Sequence, residues 1–144
     1  MSKSFADLQF PFRKKAQEAY DEMMSDTKLK EMGVEKIAVS ETKRELTVQM
    51  AYFARGRMPV DDVKAMYKAA GLYALSTEEA KTPNTWTLES KHIQGLAIDL
   101  VPVKNGVYWW SAPFPVWERM GEIGEAHGLT WGGRWKNQDC PHFQ

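Results

Sequence analysis

The first part of the chain carries apolar side chains at helical spacing, interrupted by glycine or proline. Between Pro11 and Met24 apolar residues recur every three or four positions, which predicts an amphipathic helix. Ser76 and Glu79 have the spacing of a capping box and predict one further short helical turn. The same patterns predict helices over residues 29–32, 43–54 and 59–70, and a brief strand over residues 37–39.

Beyond these helices, short apolar runs replace the helical spacing. The dipeptide Asn105-Gly106 is a strong signal for a two-residue hairpin between antiparallel strands. Residues 115–127 return to helical spacing, whereas the tail from Thr130 is expected to be irregular. The predicted strands cover residues 85–88, 96–103 and 107–109.

This order of elements indicates an α+β fold, with a small antiparallel sheet packed against N-terminal helices and one helix of the C-terminal half. A chain of 144 residues fits one domain. We expect a helical part at about 11–71 and a second part at about 82–144 that carries the functional site. The single cysteine, Cys140, excludes an internal disulfide and fits folding in a reducing compartment.

Charge and hydropathy exclude several classes of partner. Lysine and arginine number 19, as do aspartate and glutamate, so there is no electrostatic case for binding nucleic acid or an anionic membrane. No segment approaches the roughly 20 apolar residues that a membrane span requires. The first 17 residues lack the apolar centre of a signal peptide. We therefore expect a protein that is made in the cytoplasm and does not insert into a membrane. We also expect it to be a monomer.

Asp99 is a carboxylate in the middle of an apolar predicted strand. Side chains alternate across a strand, so the apolar neighbours of Asp99 face the core while Asp99 faces the other side. A buried, unpaired carboxylate is strongly destabilising, so Asp99 requires a cation. Gly95 permits a sharp turn before the strand, which would bring the imidazole of His92 back toward Asp99.

Imidazole nitrogen and carboxylate oxygen are both zinc ligands, and catalytic zinc sites use three protein ligands and one open position. His142, in the run Asp139-Cys140-Pro141-His142, is the natural third ligand. Asp139 is a candidate general base, because a carboxylate beside a metal can accept a proton from water. There are two alternatives. Cys140 could close a structural site as a fourth ligand. A lone histidine is usually a surface or core residue, which fits His127 in a last helical turn, whereas the spacing around His92 and His142 favours metal ligands.

Two stretches resemble the zinc motifs of the D-Ala-D-Ala carboxypeptidase-like metallopeptidases. Residues 90–99 (Ser-x-His-x-x-Gly-x-Ala-x-Asp) are similar to the first motif, and residues 131–144 to the second. Within that family the similarity is greatest to L-alanyl-D-glutamate endopeptidases, many of them phage endolysins, and it covers roughly residues 39–144. Trp86 and Arg134 depart from the usual pattern and affect the expected substrate groove rather than the ligands.

The resemblance implies a zinc-dependent hydrolase of the peptidoglycan stem peptide. It implies His92, Asp99 and His142 as ligands of Zn²⁺ and Asp139 as the catalytic carboxylate. The expected scissile bond is L-alanyl-D-glutamate. The alternatives are a D-alanyl-D-alanine carboxypeptidase or dipeptidase, and a non-catalytic zinc-binding domain of the same fold. The usual role of the resembling endopeptidases, together with the missing signal peptide, predicts a phage endolysin. Such an enzyme would stay in the host cytoplasm until a holin releases it to the cell wall in the periplasm, where it lyses the host.

The resemblance also implies contacts with the substrate. Arg44 matches a catalytic arginine near the substrate carbonyl or carboxylate, since a guanidinium can bind two oxygens at once, and the alternative is a surface salt bridge. Ser90 is expected to orient the first ligand by a hydrogen bond or to cap a turn. Among the tryptophans of the last third, we expect Trp117 in the core and Trp109 or Trp110 in the groove.

Overall fold

The computed structural model describes all 144 residues and confirms the α+β fold. The helices are α1 (Phe12–Ser25), α2 (Thr27–Glu31), α3 (Leu46–Ala54), α4 (Val60–Ala69), α5 (Thr77–Lys81) and α6 (Phe114–Ala126). The strands are β1 (Lys36–Glu41), β2 (Ile98–Lys104), β3 (Val107–Tyr108) and β4 (His142–Phe143), and 3-10 turns cover Phe5–Asp7 and Gly132–Arg134. None of the helices combines the length and the apolar character that crossing a membrane would need.

The sheet is antiparallel and is built around β2, which pairs with all three other strands. The predicted hairpin joins β2 to β3, with Asn105 at φ 54° and Gly106 at φ 74°, the left-handed conformation that such a turn requires. At the opposite end of β2, Asp99 is paired with Glu41 of β1 on one side and with His142 of β4 on the other. The sheet register therefore places these three side chains side by side.

Two apolar clusters hold the elements together. The larger cluster lies between α1, α2, α6 and the sheet, and Trp117 is 5% exposed there, as predicted. Trp131 and Phe143, which are 1% and 0% exposed, anchor the C-terminal tail in the same cluster. The smaller cluster joins α3, α4 and α5 through Ala51, Ala54, Val63, Tyr67, Leu75 and Ala80.

The strand predicted at residues 85–88 is absent, and that prediction is wrong. The segment is an irregular loop in which Trp86 is 72% exposed. No strand of the sheet pairs with this segment. Instead, the Gln49 side chain donates a hydrogen bond to the Thr87 carbonyl at 2.7 Å. Threonine and apolar residues favour a strand, but a strand also needs a partner to pair with, and composition does not indicate one.

Two other boundaries differ from the prediction. Helix α3 begins at Leu46 rather than near Lys43, because the Arg44 N–H donates to the His92 carbonyl at 3.1 Å and holds the preceding residues in a turn. The tail, expected to be irregular, contributes the short strand β4. Its pairing with β2 is a long-range contact that local sequence patterns do not report.

Candidate metal centre

Three candidate metal ligands converge where β4 meets β2. Ligand atoms of His92, Asp99 and His142 all lie within 4.8 Å of one another. Asp99 Oδ1 is 3.1 Å from His92 Nε2 and 3.2 Å from His142 Nδ1. The sequence predicted this set, and the structure brings its three members together.

Tight backbone turns position His92 and His142, the two candidate ligands that lie outside β2. Gly95 adopts φ +70°, which allows the chain to turn between His92 and the strand, as the sequence predicted. Gly132 packs against the segment before His142, and a Cβ there would lie 2.5 Å from the Asp139 carbonyl oxygen. A side chain at position 132 would therefore displace the loop that carries the last ligand.

The ring of His92 is fixed by a carbonyl group. His92 is 2% exposed, and its Nδ1 lies 2.6 Å from the Thr42 carbonyl oxygen. A carbonyl oxygen can only accept, so Nδ1 carries the proton and Nε2 of the neutral ring is an acceptor. Nε2 faces the Asp99 carboxylate, which is an acceptor as well. Unless the imidazole is protonated, these two acceptors need a cation between them, and this is the observation by which the site fits a metal ion.

Asp99 is ionised in this environment. Burial alone would raise the pKa of Asp99, but the imidazoles of His142 and His92 beside its carboxylate hold this pKa below its usual range. Two imidazole nitrogens and one carboxylate oxygen form a donor set suited to zinc, and three protein ligands leave a coordination position open. Cys140 is not a member of the cluster, so the alternative of a closed four-ligand site has no geometric support.

A cavity of about 890 Å³ opens beside the cluster. One wall is the loop 84–91, and the other is the loop 135–139. Trp135 stands close to the ligands, with its ring centroid 5.2 Å from that of His142. The cavity lining also includes Arg44, Tyr52, Trp86, Ser90, Asp139 and Gln144.

The two tryptophans predicted for the groove lie elsewhere. Trp109 packs against the larger core, with the Lys104 ammonium 4.5 Å from its ring centroid, and Trp110 contacts Tyr108. Neither of them lines the cavity, whereas Trp86 and Trp135 do. The only sequence signal for Trp86 and Trp135 was that both lie close to the ligand motifs along the chain.

Asp139 lies at the edge of the cluster. Its Oδ2 is 3.9 Å from His142 Nδ1, and its N–H donates to the Gly132 carbonyl at 2.9 Å. Burial and the negative charge of Asp99 raise the pKa of Asp139 above its ordinary value. The carboxylate therefore stands beside the three ligands without belonging to the cluster.

Arg44 lines the cavity and is also part of a buried ion pair. Its Nε and Nη2 donate to the two carboxylate oxygens of Glu41, both at 2.6 Å, and its Nη1 donates to Gln49 Oε1 at 2.6 Å. Burial alone would lower the pKa of Arg44, but Glu41 raises it. A guanidinium has five N–H donors, so two remain free. The expected salt bridge is thus present, although it is buried in the cavity wall.

Ser90 acts on the backbone of the first ligand. Its hydroxyl accepts from the His92 N–H at 3.3 Å, which is the turn-capping contact considered as the alternative to ring orientation. The orientation of the His92 ring comes from Thr42 instead.

Comparisons with known proteins agree with this site. A family model described as D-alanyl-D-alanine carboxypeptidase matches residues 83–144, which contain all three candidate ligands. The fold is similar to that of the L-Ala D-Glu endopeptidase ChiX of Serratia marcescens, with a TM-score of 0.57, 21% identity, and coverage of 97% of this chain and 81% of that one.

A second solved structure is a mutant of the vancomycin resistance D,D-pentapeptidase VanY from a VanB-type resistance cassette, in complex with Zn(II). It has a TM-score of 0.49 and 19% identity, and the match covers 95% of this chain and 71% of that chain. No curated protein matches the sequence. The family match, together with the His-Asp-His cluster, confirms the predicted zinc cofactor.

Proposed function

We propose that the chain, whose residues 83–144 match a family model described as D-alanyl-D-alanine carboxypeptidase, is a zinc peptidase that cleaves the L-alanyl-D-glutamate bond of the peptidoglycan stem peptide. The observation that carries the proposal is the His92, Asp99 and His142 cluster beside an open cavity, with Asp139 at its edge. The sequence resemblance upstream of the family match supports the endopeptidase assignment.

In this proposal His92 Nε2, the Asp99 carboxylate and His142 Nδ1 hold the zinc ion. When bound, zinc supplies a Lewis acid that activates water and polarises a carbonyl group. The protein contributes the fixed positions of the three ligands, since β2 and β4 carry two of them and the Thr42 carbonyl orients the third.

Asp139 is proposed as the general base. Its carboxylate accepts a proton from the attacking water and then delivers it to the nitrogen of the leaving amine. Asp139→Asn should lower kcat by about 10²- to 10⁴-fold while bound zinc stays stoichiometric. The exposed Asp61→Asn in α4 is the matched control, and near-normal activity of Asp139→Asn would show that the base is another group.

Arg44 is proposed to bind the scissile carbonyl rather than a carboxylate of the substrate. Its positive charge is balanced by Glu41, so its two remaining N–H donors favour an uncharged or transiently charged oxygen. Substitution should then lower kcat and kcat/KM together, as expected for a contact made in the transition state. A rise in KM with unchanged kcat would instead indicate that Arg44 holds the D-glutamate carboxylate.

A second candidate activity is release of the terminal D-alanine, which the description of the matching family favours. The products from purified stem peptides distinguish the two, because the endopeptidase exposes the amino group of D-glutamate and the carboxypeptidase frees D-alanine. A non-catalytic zinc domain predicts no product from either substrate.

We further propose that residues 1–144 act as one domain and as a monomer, in the setting of a phage endolysin. The endolysin-type sequence resemblance supports this setting. Expression in a Gram-negative host should be harmless alone and cause lysis when a holin is co-expressed. An equal effect of holin with and without this protein would exclude a role in host lysis.

A further inference from the structure

The second nitrogen of His142 has a partner that the sequence did not indicate. His142 Nε2 lies 3.0 Å from the side-chain oxygen Oε1 of Gln144, on the side of the ring opposite Asp99. An imidazole that binds a metal through Nδ1 must carry its proton on Nε2. The Gln144 oxygen stands where it accepts that proton's hydrogen bond.

The position of Gln144 is set by the backbone. Its N–H donates to the Thr130 carbonyl at 3.0 Å, and its carbonyl accepts from the Thr130 N–H at 2.8 Å. A neighbouring bridge between Trp131 and Phe143 extends this pairing, and both of those side chains are in the core. The main chain of Gln144 is therefore held by the same pairing that anchors β4, and its side chain extends from this fixed position to His142.

Both candidate histidine ligands have an oxygen acceptor beside the ring nitrogen that faces away from Asp99. His92 Nδ1 faces the Thr42 carbonyl oxygen, and His142 Nε2 faces the side-chain oxygen of Gln144. The difference is that the first acceptor is a backbone atom, whereas the second is a side chain. Gln144 alone can therefore be removed by substitution while the main chain is left intact.

We infer that Gln144 is a positioning residue that holds His142 in the tautomer and ring orientation needed for zinc binding. This inference rests on the proposed zinc site. If no acceptor faced Nε2, the Asp99 carboxylate would favour a proton on Nδ1, and that tautomer cannot bind a metal through Nδ1. An acceptor at Nε2 shifts the equilibrium toward the ligating form and raises the basicity of the ligand.

The test measures zinc affinity by chelator competition in three variants. Gln144→Met keeps the length of the side chain without an acceptor and should weaken zinc binding about 10- to 100-fold. Gln144→Asn keeps the amide but is too short to reach Nε2, and it should weaken binding similarly, which preserves the test if the methionine variant fails to fold. Gln144→Glu restores an acceptor and should bind zinc at least as tightly as the parent protein.

A spectroscopic measurement separates positioning from general stability. In the zinc-loaded parent and in Gln144→Glu, the His142 Nε2–H proton should be visible by NMR and protected from solvent exchange. It should exchange rapidly in Gln144→Met. Gln17→Met in α1, which lies outside the cavity lining, is the control and should alter neither zinc affinity nor this proton.

The inference and the proposed function fail in different ways. Parent-like zinc affinity and an unchanged Nε2–H signal in Gln144→Met would overturn the positioning role, even if the parent hydrolyses stem peptides. Conversely, a parent protein that binds zinc but hydrolyses no stem peptide would refute the proposed function. Loss of zinc affinity in Gln144→Met would still support the inference in that case.

Discussion

Replacing Glu41 by glutamine should leave the Arg44 guanidinium without its counter-ion inside the wall of the cavity. The two side chains are only 10% and 12% exposed, and both carboxylate oxygens accept hydrogen bonds at 2.6 Å. Removing one partner of a buried ion pair destabilises proteins by about 3–5 kcal/mol. Since Gln49 retains its bond to Arg44 and the pair borders the cavity, we expect a loss of about 3 kcal/mol, the lower end of that range.

The measurement is urea unfolding of the metal-free proteins, because bound zinc would add its own contribution to the free energy of unfolding. A double-mutant cycle compares Glu41→Gln, Arg44→Met and the double variant. The double variant should be less destabilised than the sum of the single variants by about 2 kcal/mol, since it leaves no unpaired charge. Glu18→Gln, which removes an exposed pair with Lys14, should change stability by less than about 1 kcal/mol.

Additive effects in this cycle would contradict a buried, coupled ion pair between Glu41 and Arg44. They would mean that each side chain contributes independently to the free energy of unfolding and that the ion pair is hydrated in the folded, metal-free protein. A loss as small as that of the exposed control pair would have the same meaning.

Three further substitutions test the packing and polar contacts around the site. Gly124→Ala in α6 should destabilise by about 1–3 kcal/mol and weaken zinc binding, because a Cβ there overlaps the Phe143 ring, and this outweighs the roughly 1 kcal/mol gained in helix propensity. Thr42→Val should stabilise the protein by about 1 kcal/mol in thermal or urea unfolding, because it removes a buried hydroxyl that has no partner. Asp26→Asn should destabilise by about 1–2 kcal/mol at neutral pH, since Asp26 caps α2 and pairs with Arg119. The hydrogen bond from Arg119 lowers the pKa of Asp26, so this difference should be full above about pH 4 and shrink as the pH falls further.

Each of these has a control or a contrary outcome. Ala126→Gly, at an exposed position of the same helix as Gly124, reports helix propensity without overlap, and a stabilised Gly124→Ala would show that the Phe143 ring moves aside freely. Destabilisation by Thr42→Val would show that its hydroxyl is hydrogen-bonded in solution. A pH-independent effect of Asp26→Asn would show that only the shape of the cap matters.

The features predicted correctly from the sequence are local ones. The turn at Gly95, the alternation that isolates Asp99, and the Asn105-Gly106 hairpin each depend on a few neighbouring residues. Such patterns express backbone preferences and side-chain direction, which act over short distances. The convergence of the first two ligands could therefore be predicted before the structure was known.

The features that sequence reasoning missed depend on contacts between distant segments. The pairing of β4 with β2 brings His142 beside Asp99 across 43 residues, and no local pattern in the tail announces a strand. Gln144 gains its role from the same pairing, and Glu41 gains its role from the register of β1. The choice of groove tryptophans failed for a related reason, because exposure is set by how loops fold over the cavity.

The most direct test of the central claim is digestion of purified peptidoglycan by the zinc-loaded protein, with mass analysis of the products. We expect stem-peptide fragments with a new D-glutamate amino terminus, no free D-alanine, loss of activity on chelation and recovery on adding zinc. Free D-alanine would contradict the assigned bond. Activity that survives complete removal of metal would contradict the zinc site formed by His92, Asp99 and His142.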